Sequence, residues 1–235
     1  MAAKRMARAA SAALLLLALS VTLATQFLPA PAHAQQGSEK ERDMIVAAER
    51  GELPVVRNLF RDGARIDARD QPGRTALLAA TQRNRVEVAR FLIQEGADVN
   101  AKDFIQDTPF LYAGAEGRVE ILKMTLAAGA NLKDINRYGG TALIPAAHHG
   151  HVEAVKILLG TAIDKDHVNN LGWTALLEAV SRGDGGAAHT EIVRLLVAAG
   201  ADVNIADRDR VTPLAHARRA RYGEMVRILS AAGGR

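Results

Sequence analysis

The sequence has 235 residues, with 24% charged and 4% aromatic side chains, a formal net charge of +4 and no cysteine. Three of its 30 basic residues lie in the first eight positions, so residues 35–235 carry 27 basic and 26 acidic side chains. That near balance argues against nucleic-acid binding, which needs a concentrated basic face. The lack of cysteine excludes a disulfide framework, and a chain of about 200 residues can be stabilised by burial alone.

The first segment has the features of a secretory signal peptide. The basic opening MAAKRMAR precedes an apolar run over 9–27, which is short for a membrane span, and the tripeptide AHA at 32–34 fits the small-residue cleavage pattern. We predict a signal peptide over 1–34 with cleavage after Ala34, a short linker over 35–38, and a periplasmic location. Secretion from the cell and an uncleaved amino-terminal anchor are the alternatives.

A threonine phrase recurs through the rest of the chain with spacings of 33, 33, 33 and 38 residues. A glutamate series and a glycine series follow the same spacing, and such agreement among independent positions indicates an internal repeat. The threonines are Thr75, Thr108, Thr141, Thr174 and Thr212.

Each repeat is predicted to contain two short helices and a turn. The threonine hydroxyl is expected to cap the first helix, with proline following it at Pro109 and Pro213. The second helix is expected to end at a glycine in the left-handed conformation. Neither helix can bury its apolar stripe alone, so consecutive pairs are predicted to stack into a solenoid.

The phrases TPLAHA, GADVNA, GADVNI and HGHVEAVKILL resemble the ankyrin repeat, and we identify the chain as similar to exported, bacterial-type members of that family. The resemblance implies an all-α solenoid with short β-hairpin turns, formed by about six helix-turn-helix units over residues 39–235. The units are placed at about 39–70, 71–103, 104–136, 137–169, 170–207 and 208–235.

The fourth repeat departs from the pattern, and we expect irregular geometry between Ile144 and Val168. Pro145 falls about four positions into its helix, where it removes a hydrogen bond. Ala162 occupies the position where the other repeats have glycine.

Three histidines, His148, His149 and His151, lie within four positions. Zinc requires three or four convergent ligands, and the chain offers neither cysteine nor an obvious carboxylate partner. His151 is also explained by the glycine-histidine phrase of the ankyrin repeat. We therefore predict no metal site, and zinc retained in equimolar amount after dialysis would contradict that prediction.

The sequence lacks the G-x-S-x-G and H-E-x-x-H motifs and has no glycine-rich phosphate loop. A solenoid also offers no deep, enclosed cleft in which to shift the pKa of a carboxylate. We predict a protein that is not an enzyme and has no cofactor.

In ankyrin proteins, partners contact the hairpin tips and the exposed side of the first helices, and the resemblance transfers those positions to this chain. The predicted partner-binding residues are Phe104, Ile105, Tyr138, Leu171 and Trp173 at the tips, and Arg83, Glu116, His148, His149 and Arg182 on the helices. Aromatic side chains beside arginine are typical of binding hot spots. The alternative is that Trp173 covers its own hairpin while Phe104 and Ile105 turn inward.

Two further features of the sequence each have two interpretations. The five extra residues at 184–188 lengthen the turn within the fifth repeat, either as part of a binding face or as a tolerated loop. The last repeat is rich in arginine, including Arg218, Arg219 and Arg221, which suits either an anionic surface or a solvated cap.

The predicted function is that of a protein-interaction scaffold, a monomer that binds another protein through its tips and concave helix face. Rigid presentation of that surface limits the entropy lost on association. The alternatives are an inhibitor or immunity-type partner, a stress-protective partner of an exported enzyme, and a structural protein associated with the membrane or cell wall. We expect neither nucleic acid nor a membrane surface as the ligand.

Overall fold

The computed structural model describes residues 38–235, and the predicted signal peptide and its cleavage site lie outside these residues. The described residues form twelve α-helices in six consecutive pairs, which we label in chain order. They are α1 (Glu39–Arg50), α2 (Leu53–Arg61), α3 (Ala76–Gln82), α4 (Val86–Gln94), α5 (Pro109–Ala115), α6 (Val119–Ala127), α7 (Leu143–His148), α8 (Val152–Leu159), α9 (Ala175–Ser181), α10 (Ala187–Ala198), α11 (Pro213–Ala220) and α12 (Gly223–Ala231).

The helices stack in two layers. Each odd-numbered helix packs against the odd-numbered helix of the next repeat, and each even-numbered helix packs against its even-numbered neighbour. The core between the layers consists of leucine, isoleucine, valine and alanine side chains, together with the fully buried Phe110. Because each repeat packs chiefly on its neighbours, this is the predicted solenoid.

Four of the five repeated threonines cap the first helix of their repeat as predicted. The hydroxyl oxygen of Thr108, for example, accepts a hydrogen bond of 3.0 Å from the Leu111 amide. The equivalent bonds in the other three repeats are 3.1 to 3.3 Å long. The capping threonines are Thr75, Thr108, Thr174 and Thr212.

The capping prediction was wrong at Thr141, and the cause is Pro145. Proline has no amide hydrogen, so the Thr141 carbonyl accepts from the Ile144 amide instead, at 3.2 Å. Helix α7 therefore begins one residue late, at Leu143, and the buried Thr141 hydroxyl has no hydrogen-bond partner among the described residues. The proline thus falls in the first helical turn, where its missing donor costs little.

Left-handed glycines follow the second helix in five of the six repeats, as predicted. They are Gly63, Gly96, Gly129, Gly200 and Gly233, with φ between 78° and 89°. The fourth repeat differs, because α8 ends without a left-handed residue and Thr161 donates its hydroxyl to the Leu158 carbonyl at 2.6 Å. The irregularity expected in this repeat is therefore confined to the two ends of its helix pair.

The turns between repeats contain no β-strand within residues 38–235. Each turn instead closes around one aspartate or asparagine. We call the turn that precedes the first helix of a repeat its tip. At the tip of the third repeat, the Asp103 amide donates to the Asp107 carbonyl at 2.9 Å, and Asp103 Oδ1 accepts from the Ile105 and Asp107 amides at 3.0 and 2.9 Å. Asn136, Asn169 and Asp207 make the same bonds at the next three tips.

In the described part of the chain, no helix combines the length and the apolar character needed to span a membrane.

Candidate functional site

A groove of about 400 Å³ lies at the centre of the array, between the tips and the first helices of the third, fourth and fifth repeats. We call it the central groove. Its lining residues are Asp107, Tyr112, Ala115, Glu116, Asn136, Arg137, Tyr138, Gly140, Ile144, Pro145, His148, His149, Asn169, Leu171 and Glu178. Five of the ten predicted binding residues are among them: Glu116, Tyr138, His148, His149 and Leu171.

The α5 side of the central groove combines an aromatic ring with carboxylates. Tyr112 and Glu116 are four residues apart, so they lie on the same face of the helix. Burial, followed by the nearby Glu116 carboxylate, raises the pKa of Tyr112. Burial and the Asp103 carboxylate likewise raise the pKa of Asp107, although Arg137, 3.5 Å away, opposes the shift. This part of the groove is therefore partly desolvated and acidic.

The two groove histidines are held by neighbouring repeats. His148 Nδ1 lies 2.9 Å from Oε2 of the buried Glu178, and His149 Nδ1 donates to the Ala115 carbonyl at 2.9 Å. Their rings meet edge to face at 4.9 Å. These contacts join the third, fourth and fifth repeats across the floor of the groove.

His151 lies outside the lining set and packs against the third repeat. A Cβ on Gly117 would come within 2.8 Å of the His151 ring, so the close approach needs glycine there. Burial and the neighbouring His149 lower the pKa of His151. Among residues 38–235, no group of three or more histidine, aspartate or glutamate side chains is placed to hold a metal ion.

Phe104 and Ile105 belong to the third tip but do not line the central groove. They do not turn inward either, since Phe104 is 72% exposed and Ile105 is 49% exposed. The Phe104 amide donates to the Pro72 carbonyl at 3.1 Å, which ties this tip to the preceding one. Both side chains are therefore exposed at the tip of the third repeat, and the Phe104 ring lies close to Gly73 of the preceding tip.

Trp173 belongs to a separate cluster at the boundary of the fifth and sixth repeats. Its ring is half-buried, with the His216 ring 5.8 Å away and the Arg182 guanidinium 5.3 Å away. His216 Nε2 in turn lies 2.7 Å from Asp207 Oδ2. The tryptophan is thus packed between repeats, and the predicted residues Trp173 and Arg182 lie outside the groove lining.

Arg83, the remaining predicted residue, lies nearer the amino-terminal end of the array. Its guanidinium forms an ion pair with Glu49 of α1, with Nη2 2.9 Å from Oε1. The hydrogen bond from Arg83 lowers the pKa of Glu49. The structure therefore shows this arginine bridging the first two repeats.

Sequence reasoning missed Tyr112 and Glu178, which both line the groove. Each follows the threonine of its repeat by four residues, as does Pro145. This position therefore lies one helical turn before the predicted binding residues of the first helices, such as Glu116 and His149. That regular spacing is the signal that could have found them.

The inserted segment of the fifth repeat packs against the sixth. Ala187 and Ala188 open α10, and the Tyr222 hydroxyl donates to the Gly183 carbonyl at 3.1 Å. Asp184 Oδ1 accepts from the Gly186 amide at 2.8 Å, and hydrogen bonds from that amide and from His189 lower the pKa of Asp184. The insertion is thus hydrogen-bonded to the array and does not line the central groove.

Comparisons with known proteins agree with this architecture. The family described as "Ankyrin repeats (3 copies)" matches residues 14–103, 44–136, 110–207 and 163–234. An ankyrin repeat domain from Acinetobacter baumannii AYE has 51% sequence identity and a TM-score of 0.80, with 83% of this chain and 100% of that chain covered. EF0377, an ankyrin repeat protein, has 39% identity and a TM-score of 0.78, with 82% and 98% covered. No curated protein matches significantly.

The chain belongs to the ankyrin-repeat family. Ankyrin repeats are generally protein-interaction scaffolds that bind another protein, and the fold is typically non-enzymatic.

Proposed function

We propose that this protein is a non-enzymatic scaffold that binds a partner protein in the central groove and on the exposed tip residues beside it. The observation that carries the proposal is the groove itself, where three repeats bring aromatic, apolar and charged side chains together. Tyr138 is 51% exposed and Leu171 is 49% exposed, and both line the central groove. Exposed aromatic and aliphatic side chains of this kind mark interaction sites on soluble proteins.

The test is affinity capture from an extract of the producing organism, with identification of captured proteins by mass spectrometry. The wild type is compared with a Tyr138→Ala, Leu171→Ala double variant. The matched control is Val46→Ala, Val55→Ala, which removes two exposed apolar side chains from α1 and α2, away from the groove. We expect a partner that the wild type and the control capture and the groove variant loses. Equal capture by all three would place the interface elsewhere.

We also propose that the protein is exported to the periplasm as a monomer. The support is the basic, then apolar, then small-residue pattern of residues 1–34. Amino-terminal sequencing of the protein from fractionated cells should give Gln35 as the first residue, in the periplasmic fraction. An intact Met1 terminus in the cytoplasmic fraction would contradict export. Light scattering of the purified protein should give the mass of a monomer.

A more specific form of the same proposal is that the partner is an enzyme that this protein inhibits or protects. An activity assay of the captured partner with and without the scaffold distinguishes these two roles.

A membrane-surface role is the second candidate. It is favoured by the exposed Arg218, Arg219 and Arg221, whose side chains form no ion pair among the described residues. Salt-sensitive binding to anionic vesicles that is lost when these arginines are replaced by glutamine would support it.

A further inference from the structure

The central groove has an excess of negative charge. Three carboxylates line it, from Asp107, Glu116 and Glu178, against the single guanidinium of Arg137. The Glu178 carboxylate contacts His148, and the Asp107 carboxylate forms an ion pair with Arg137. The Glu116 carboxylate, in contrast, has no hydrogen-bond or ion-pair partner within residues 38–235. Glu116 is therefore a half-buried acceptor that can receive a donor from a partner without breaking a bond within the described residues.

The same groove offers aromatic faces. Tyr112 lies one helical turn from Glu116, and Tyr138 lies on the neighbouring tip. The Tyr138 ring already carries a guanidinium, that of Arg137, 4.9 Å from its centroid. Stacking on an aromatic ring together with hydrogen bonding to a carboxylate is the environment in which arginine is favoured over lysine.

We propose that the central groove binds an extended segment of a partner protein that carries an arginine, with the guanidinium received by the Glu116 carboxylate beside the tyrosine rings. The inference rests on the proposed function and adds the chemistry of the partner. Charge complementarity argues for this occupant, because a partner segment rich in aspartate, glutamate or phosphate would bring like charges against three carboxylates. A purely apolar segment would leave Glu116 desolvated and unpaired.

The test uses fluorescence anisotropy with short, labelled, glycine- and serine-based peptides of one length. Each carries the same two leucines and differs at two positions, which are arginine, lysine, citrulline or glutamate. Citrulline keeps the planar shape of arginine and removes its charge. We expect the arginine peptide to bind most tightly, the citrulline peptide about tenfold more weakly, and the glutamate peptide not at all. Raising the salt concentration should weaken binding of the arginine peptide.

The matched variants are Glu116→Gln and Glu95→Gln. Both remove one negative charge, but Glu95 is exposed at the end of α4 and does not line the groove. We expect Glu116→Gln to weaken binding of the arginine peptide about fivefold to tenfold, while Glu95→Gln leaves it unchanged. Circular dichroism and urea unfolding check that both variants fold as the wild type does.

Several results would overturn this inference. These are equal affinity for the arginine and citrulline peptides, tighter binding of the glutamate peptide, no effect of Glu116→Gln, or no binding of the arginine peptide. The proposed function is judged separately by the capture experiment. The Tyr138→Ala, Leu171→Ala variant could fail to capture a partner that still binds the Glu116→Gln variant with wild-type affinity. That result would support the scaffold role and contradict the assignment of an arginine to the groove.

Discussion

The Arg65 guanidinium forms an ion pair with the Glu41 carboxylate at the start of the array, with Nε 2.5 Å from Oε1 and Nη2 3.2 Å from Oε2. The Ser38 amide donates to the same carboxylate at 2.6 Å. The hydrogen bond from Arg65 is the main reason that the pKa of Glu41 is lowered from 4.5 to about 2. One carboxylate thus joins the first turn of α1 to the turn that follows α2.

This ion pair predicts a pH dependence of stability. The pKa of Glu41 is lower in the folded state, so its contribution is fully present above about pH 4.5 and is lost as the pH falls through about 2. We expect Glu41→Gln to reduce the free energy of unfolding at pH 7 by about 1 kcal/mol, since Arg65 is solvent-exposed. The difference from wild type, measured by urea unfolding, should shrink towards pH 2. Glu39→Gln in the same turn is the control, and an equal, pH-independent loss in both variants would contradict the prediction.

The threonine caps offer a matched pair of isosteric substitutions. Thr108→Val removes the bond from the Leu111 amide and should reduce the free energy of unfolding by about 1 kcal/mol. Thr141→Val removes a buried hydroxyl that has no partner among the described residues, so stability should stay the same or rise slightly. Chemical unfolding of both variants checks this. Similar losses at the two sites would show that Thr141 also acts as a cap.

Two phenylalanines of the third repeat should contribute very differently to stability. Phe110 is fully buried, so Phe110→Ala should lower the free energy of unfolding by about 3 to 5 kcal/mol. Phe104 is exposed at the tip, and Phe104→Ala should change stability by less than about 0.5 kcal/mol. Thermal and urea unfolding give these values. A large loss of stability in Phe104→Ala would mean that the ring supports the fold.

The insertion of the fifth repeat should be sensitive to a single methyl group. Gly185 has a φ of 71°, and a Cβ there would lie 2.4 Å from the Tyr222 ring. Gly185→Ala should therefore destabilise the protein by about 1 to 2 kcal/mol, and hydrogen exchange should show faster exchange of amides in the inserted turn. Gly223→Ala is the control, because it opens α12 with free space around it. Unchanged exchange in Gly185→Ala would argue against packing of the insertion on Tyr222.

Much of the fold was predictable because most of the repeats share the same sequence pattern. Helix caps, helix ends and stacking partners follow from local chemistry that the 33-residue period repeats. The exception at Thr141 arises from Pro145, but the shifted start of α7 depends on which carbonyl and amide pair when one donor is missing. Proline removes the donor, but which amide then pairs with the Thr141 carbonyl is decided by the local backbone geometry.

The site was less predictable, since its residues are selected by contacts between repeats. Trp173 and Tyr138 are both aromatic residues of the tips, yet the His216 ring packs 5.8 Å from Trp173, whereas Tyr138 is 51% exposed. Arg83 is engaged by Glu49, thirty-four residues earlier. Such pairings depend on side-chain conformations across an interface, which a repeat pattern does not encode.

One aspartate or asparagine fixes the geometry of each tip from the third to the sixth repeat, and the two residues that follow it stay exposed. Those residue pairs are 104–105, 137–138, 170–171 and 208–209. Natural selection can therefore change the identity of these side chains without disturbing the turn that presents them. A gene lineage that keeps its tip aspartates and asparagines can acquire a new partner through substitutions that need no compensating change in the core.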